Sequence, residues 1–171
     1  GHCISVDPWF LVEAAPDIAT LIRTSRQVND SQPEFVIRLV KQVLGEALYG
    51  KRITVLGLAF KPDVDDLRES PAVEIARHLA AAGAQVTAFE PNKPDAEIEG
   101  IPVVDSLSKA LEYAELVLVL VGHKEFRSLE ATEVVKQTQA RLLVDAVNVM
   151  PVEPFKRAGF RVFRLGVGHE L

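Results

Sequence analysis

Residues 53–56, Ile-Thr-Val-Leu, form a short, largely apolar run rich in β-branched side chains, and a glycine follows at once. A run that short, without alternation of polar and apolar positions, fits a strand buried on both faces, the situation of a strand in a parallel sheet. Comparable runs recur at 86–89, 103–104, 116–121, 142–145 and 162–165, separated by helical or loop segments such as 71–82 and 131–139. Strands alternating with helices predict an α/β chain: a doubly wound, Rossmann-like parallel sheet with right-handed crossovers. In such sheets ligands sit beyond the carboxyl ends of the strands, so the loops 57–70, 123–126 and 145–150 are the candidate site.

The first fifty residues read differently. Ile18, Leu21, Ile22, Ser25 and Val28 fall on one face of a helix that should stop near Asn29-Asp30. Ser31 and Glu34 have the spacing of a capping box, opening a second helix that carries Phe35, Val36, Leu39, Val40, Val43, Leu44 and Leu48 and ends at Gly50. We therefore expect a helical segment over 1–50 and the α/β unit over 51–171. The chain has 48% hydrophobic and 25% charged residues and no stretch of about 18 uninterrupted apolar ones, which speaks for a globular unit rather than a membrane span. A net charge of −5 with scattered basic residues gives no general attraction to nucleic acid or anionic lipid, so an anionic ligand must be held by local geometry. The single cysteine cannot form an internal disulfide, no Cys or His spacing suggests a metal site, and a reducing cytoplasm is the expected setting.

The loop after the first strand reads Gly57-Leu-Ala-Phe-Lys61-Pro, where a dinucleotide-binding domain would carry three glycines. Without the second and third, backbone amides cannot approach a pyrophosphate closely, so the fold is expected without the usual NAD cradle. Lys61 either brings a positive charge to a phosphate or is an ordinary solvated lysine; its own chemistry does not choose. Beyond it, Asp63, Asp65, Asp66, Arg68 and Glu69 crowd together. With no His or Cys among them, the stretch reads as a loop organised by ion pairs rather than a metal site, leading into a helix with Ser70 as N-cap and Pro71 at its first position. Cys3 and Asp7 are four residues apart, which on a helical turn places thiol and carboxylate on one face. Taken alone, a free cysteine is more often a packing residue.

The stretches Gly1-His-Cys-Ile-Ser-Val-Asp-Pro-Trp-Phe10 and Gly57-Leu-Ala-Phe-Lys-Pro-Asp-Val-Asp-Asp-Leu-Arg-Glu-Ser-Pro71 together resemble the two signature motifs of the UDP-glucose/GDP-mannose dehydrogenase family. The residues around Cys3 are more similar to the N-acetylhexosamine branch than to the glucose branch. The resemblance implies oxidation of C6 of a UDP-sugar from alcohol to acid with two NAD, Cys3 as the nucleophile that forms a thiohemiacetal and then a thioester, and Asp7 as organiser of the hydrolytic water. It implies a substrate loop containing Gly1 and His2, a UDP-sugar-binding pair in Phe60 and Lys61, and an NAD contact from Arg68 across a domain interface. It further implies that 1–50 derives from a central helical region through which such enzymes form homodimers. On this reading the chain is the C-terminal part of a longer protein, lacking the NAD-binding domain, the lysine that acts as acid/base and its neighbouring asparagine, and is inactive alone. At Val147 and Asn148 many relatives carry a basic residue, which this chain lacks.

Two other classes compete. A non-catalytic nucleotide-binding domain would keep the sheet and leave Cys3 dispensable. A flavodoxin-like receiver would need an acidic pair after the first strand, where Gly57-Leu-Ala-Phe60 stands instead.

Overall fold

The computed structural model describes residues 3–167. Six strands form one sheet: β1 (Arg52–Leu56), β2 (Gln85–Phe89), β3 (Val103–Val104), β4 (Leu116–Val119), β5 (Leu142–Asp145) and β6 (Arg161–Arg164). All neighbouring pairs are parallel, in the order β3-β2-β1-β4-β5-β6, with register pairs such as Val55↔Ala88 and Val55↔Leu118 at the centre. The chain order reverses between β1 and β4, which opens a crevice at their carboxyl ends.

The described residues form eight helices: α1 (Cys3–Ala14), α2 (Thr20–Asp30), α3 (Gln32–Leu44), α4 (Pro71–Ala81), α5 (Leu107–Leu111), α6 (Lys124–Arg127), α7 (Ala131–Gln137) and α8 (Val152–Arg157). Successive side chains of a strand point to opposite faces, and the core divides accordingly. Ile53, Val55, Leu116 and Leu118 pack with Val36 and Val40 of α3 and Ile75 and Leu79 of α4. Leu56, Val117, Val119 and Leu143 pack with Leu111, Phe126, Val134 and Phe155 on the other side. Both central strands are therefore buried on two faces, the reason their sequences are almost wholly apolar; the one polar side chain, Thr54, donates its hydroxyl to the Ala110 carbonyl.

The helical segment departs from expectation at two points. The capping box at Ser31 and Glu34 does not form: α2 runs on to Asp30, Ser31 keeps helical backbone angles (φ −83°, ψ −7°), and its hydroxyl donates backwards to the Val28 carbonyl at 2.8 Å. The second helix ends at Leu44 rather than Gly50, because Gly45 leaves the helical region at φ 98°. Gly50 instead turns the chain into β1, at φ 73° with its N–H donated to the Gly83 carbonyl. The apolar face expected of this segment is present and largely uncovered: Ile18 is 86% exposed and Leu21 78%. Ser70, by contrast, caps α4 as the sequence predicts, accepting the Ala72 N–H at 3.2 Å with Pro71 at the first helical position. Among the described residues no helix is long and apolar enough to cross a membrane.

Candidate functional site

The loop that follows β1 is fixed from within the protein. Gly57, at φ 91°, lets the backbone turn where a Cβ would lie 2.5 Å from the Val121 Cβ, so only glycine fits there. The next two amides, Leu58 and Ala59, donate to one oxygen of Glu90 at 2.7 and 3.0 Å. Glu90 follows β2 and is fully buried. The same oxygen lies 3.1 Å from His123 Nε2, and the other accepts the Asn92 N–H at 3.0 Å. Burial pushes the Glu90 carboxyl upward, but the bonds from His123 and from the Leu58 and Asn92 amides outweigh it and hold the group below its ordinary value.

His123 is itself fully buried beyond β4, at the N-cap of α6. The Asp63 N–H donates to its Nδ1 at 2.9 Å, which makes Nδ1 the unprotonated nitrogen and leaves the Nε2 proton for Glu90. Asp63, held at φ 61°, accepts the Lys124 N–H through Oδ1 at 2.9 Å and so ties the β1 loop to the start of α6. Ligand atoms of Asp63, His123 and Glu125 lie within 4.8 Å of one another. The His123 lone pair that a cation would need is already engaged by the Asp63 amide, with the Asn92 side chain at 2.9 Å, so the group reads as a structural network. On β5, Asp145 organises the third loop, accepting the Val147 and Met150 amides at 3.1 and 2.8 Å.

These three loops border a cleft of about 360 Å³ at the carboxyl ends of β1, β4 and β5, which Phe60 and Lys61 line together with Val147. No Asp or Glu is among the described residues that line it. A second hollow of about 520 Å³ lies between the α1 face bearing Ile4, Val6 and Trp9 and the Glu69 end of the β1 loop. Phe60, Asn29, Pro33 and Pro71 line both, so the two are contiguous. Phe60 is half-buried, its N–H is spent on the Asp66 carbonyl at 3.0 Å, and its ring has Lys61 Nζ 5.5 Å away. The Phe60 carbonyl is what its backbone still offers a ligand.

Cys3 and Asp7 are exposed on α1, one helical turn apart on one face, and line neither hollow. Arg68 is paired in bidentate fashion with Asp66, with contacts from 2.6 to 3.2 Å. That hydrogen-bonded pairing raises its pKa, with a smaller contribution from the nearby Cys3. Gly1 and His2 lie outside the described residues. The expected ion-paired loop is present in the Arg68–Asp66 pair. Of the two residues on which the loop depends, the sequence points to His123 only as the first residue of the candidate loop 123–126 and does not point to Glu90, for which the single acid between a strand and a proline, Phe89-Glu90-Pro91, is the available signal.

Residues 54–152 match the family described as UDP-glucose/GDP-mannose dehydrogenase family, UDP binding domain. The chain belongs to that family. It is 47% identical over 141 residues to the UDP-N-acetyl-D-mannosamine dehydrogenase of Campylobacter jejuni, covering 79% of this chain and 34% of that protein. The solved UDP-N-acetyl-mannosamine dehydrogenase Cap5O of S. aureus superposes with a TM-score of 0.77 at 35% identity, over 96% of this chain and 37% of that one. The NDP-N-acetyl-D-galactosaminuronic acid dehydrogenase of Methanosarcina mazei Go1 gives a TM-score of 0.85 at 26% identity, over 97% and 38%. The chain thus spans about a third of the length of the relatives it matches.

The family's name implies a dehydrogenase, and the fold is one that elsewhere holds NAD, but the residues here do not fit that cofactor on this sheet. The two amides a pyrophosphate would approach, Leu58 and Ala59, are both committed to buried Glu90. The structure of the β1 loop thus gives a physical basis for the missing glycines.

Proposed function

We propose that the chain binds the UDP portion of a UDP-sugar in the cleft over β1, β4 and β5, as the nucleotide-binding part of an NAD-dependent enzyme that oxidises UDP-N-acetyl-D-mannosamine to the uronate. The observation that carries this reading is the cleft itself: in a chain of net charge −5 it is lined by Lys61 and by no carboxylate among the described residues. An apolar wall with a few convergent polar groups suits a pyrimidine nucleotide, and an acid-free rim suits its phosphates. The likeness to N-acetylhexosamine-oxidising relatives supports the sugar.

In this reading Cys3 adds through Sγ to the C6 aldehyde carbon, the carbonyl electron pair moving to oxygen to give a thiohemiacetal. After oxidation to the thioester, water adds to the acyl carbon and the C–S bond breaks, with Asp7 ordering that water. Phe60 and Lys61 hold the nucleotide sugar, Gly1 and His2 belong to the substrate loop, and Arg68 reaches NAD carried by a separate domain. The second hollow, contiguous with the nucleotide cleft, reaches α1 at Ile4, Val6 and Trp9, on the helix that also carries Cys3 and Asp7. Residues 1–50 belong in this proposal to a central helical region and 51–171 to the nucleotide domain. The exposed apolar side chains of α1 and α2, Phe10 and Leu21 among them, fit burial in a homodimer, and the cytoplasm supplies both substrates.

The test is turnover by the full-length protein, followed as NADH absorbance with UDP-N-acetylmannosamine, UDP-N-acetylglucosamine and UDP-glucose. Preference for the first, abolished by Cys3→Ser, is the expected result. Equal rates on UDP-glucose overturn the sugar assignment, and a Cys3→Ser enzyme of unchanged rate overturns the catalytic reading.

A further inference from the structure

The nucleotide cleft has a second cation that the motifs do not mark. Arg127 closes the one-turn helix α6, far from Lys61 in sequence, and lines the same cleft. Its guanidinium is not a loose surface group. Nε donates to the Gly122 carbonyl at 2.9 Å, directing that edge of the fork inward. The position of Gly122 makes the seat: a Cβ there would stand 2.7 Å from Val149 Cγ1 and 3.4 Å from Arg127 Nη2, so the absence of a side chain lets the guanidinium lie against the cleft wall. One bond anchors the group and leaves terminal N–H donors for a ligand, the preorganised fork that suits a phosphate. The loop after β5 contributes to the cleft only uncharged Ala146, Val147 and Val149. Lys61, which comes from the β1 loop, and Arg127, which comes from beyond β4, are the two cations among the described lining residues.

Resting on the reading of the cleft as a UDP site, we propose that Arg127 is a ligand-binding residue that contacts the diphosphate, with Lys61, and supplies the charge the β5 loop does not. The role is in binding. The anchor on Gly122 distinguishes it from a diffuse surface charge, because it fixes where the remaining donors can reach.

Titration calorimetry of the chain with UDP and with uridine, for wild type, Arg127→Met and Arg127→Lys, tests the assignment. Loss of a charge-assisted contact to phosphate predicts UDP binding weakened about tenfold or more in Arg127→Met, with uridine binding changed less than about twofold. Arg127→Lys, keeping the charge but not the fork, falls between. The exposed position of Arg127 predicts that circular dichroism melts of all three stay close together. UDP affinity in Arg127→Met within about twofold of a UDP-binding wild type overturns the role of Arg127 and leaves the nucleotide site standing. Equal weakening toward UDP and uridine also overturns it, since the effect is then not on phosphate. A wild type that binds UDP no more tightly than uridine overturns the nucleotide reading and this inference with it.

Discussion

Replacing Glu90 with glutamine tests the internal clasp of the β1 loop at its centre, changing charge with almost no change of shape. In the native protein one carboxylate oxygen receives the Leu58 and Ala59 amides and the His123 Nε2 proton, and the other receives the Asn92 amide. A glutamine can present its carbonyl to the first three donors, but its NH2 then opposes the Asn92 N–H. One buried donor left unpaired costs about 1–3 kcal/mol. The three retained bonds become neutral, and charge-assisted bonds are roughly twice as strong as neutral ones. Together these predict a loss of about 3 kcal/mol at neutral pH, an order-of-magnitude figure corresponding to a melting temperature lower by about 6–12 °C for a chain of this size. The pH dependence supplies the sign. Because the folded-state pKa of Glu90 lies below its ordinary value, its ionisation stabilises the fold fully above the unfolded value of about 4.3, and that contribution is lost as the pH falls through the lowered folded value. Urea melts of both proteins at several pH values from neutral to about 3 should therefore show the gap between wild type and Glu90→Gln narrowing on the acid side. A variant as stable as wild type at neutral pH, or a gap that stays constant down to acid, would refute the clasp.

Two further outcomes follow from the same loop. Gly57→Ala meets Val121 Cβ at 2.5 Å while its backbone sits at φ 91°, so it should destabilise by at least about 2 kcal/mol in urea titration, well beyond the usual cost of a surface change. Arg68→Ala removes an exposed pair and should leave the denaturation midpoint almost unmoved, while lowering the rate of NAD reduction in the full-length protein; a large stability loss would mean the Arg68–Asp66 pair organises the loop rather than serving a ligand.

The sheet was readable because burial on both faces leaves a local mark. Residues 53–56 and 116–119 are buried on both faces and almost wholly apolar, Thr54 being satisfied by the Ala110 carbonyl, so their composition identifies them. Ser70 and Pro71 were readable for a similar reason: a cap is local chemistry between residues two apart. Ser31 and Glu34 had the same kind of signal and misled, because α2 continues to Asp30 and denies Ser31 the extended backbone an N-cap needs. The apolar spacing of Ile18, Leu21 and Val28 correctly indicated a helix, but periodicity says which face is apolar and not what covers it. Glu90 and His123 are 33 residues apart on different loops, and Arg127 approaches Lys61 only through the sheet, so no spacing rule could have paired them.

The clasp explains how a sheet of dinucleotide-binding type comes to hold something smaller. In a dinucleotide domain the glycine-loop amides face a pyrophosphate, and a carboxylate beyond the second strand faces a ribose. Here the two sets of groups face each other: Glu90 is buried and bound to Leu58 and Ala59, so neither the anion-binding amides nor the ribose-binding acid is open to a ligand. Recognition of phosphate must then move from backbone to side chains at the rim, where Lys61 and Arg127 stand. Backbone amides at a buried loop hold an anion with little screening, whereas two rim cations lie within reach of dissolved ions, with a Debye length of about 8 Å at physiological ionic strength. The affinity of this cleft for UDP should accordingly fall as salt rises, by a slope that flattens when either Lys61 or Arg127 is neutralised. A binding constant indifferent to salt would place the phosphates against backbone after all, and would require the Glu90 clasp to open when ligand enters.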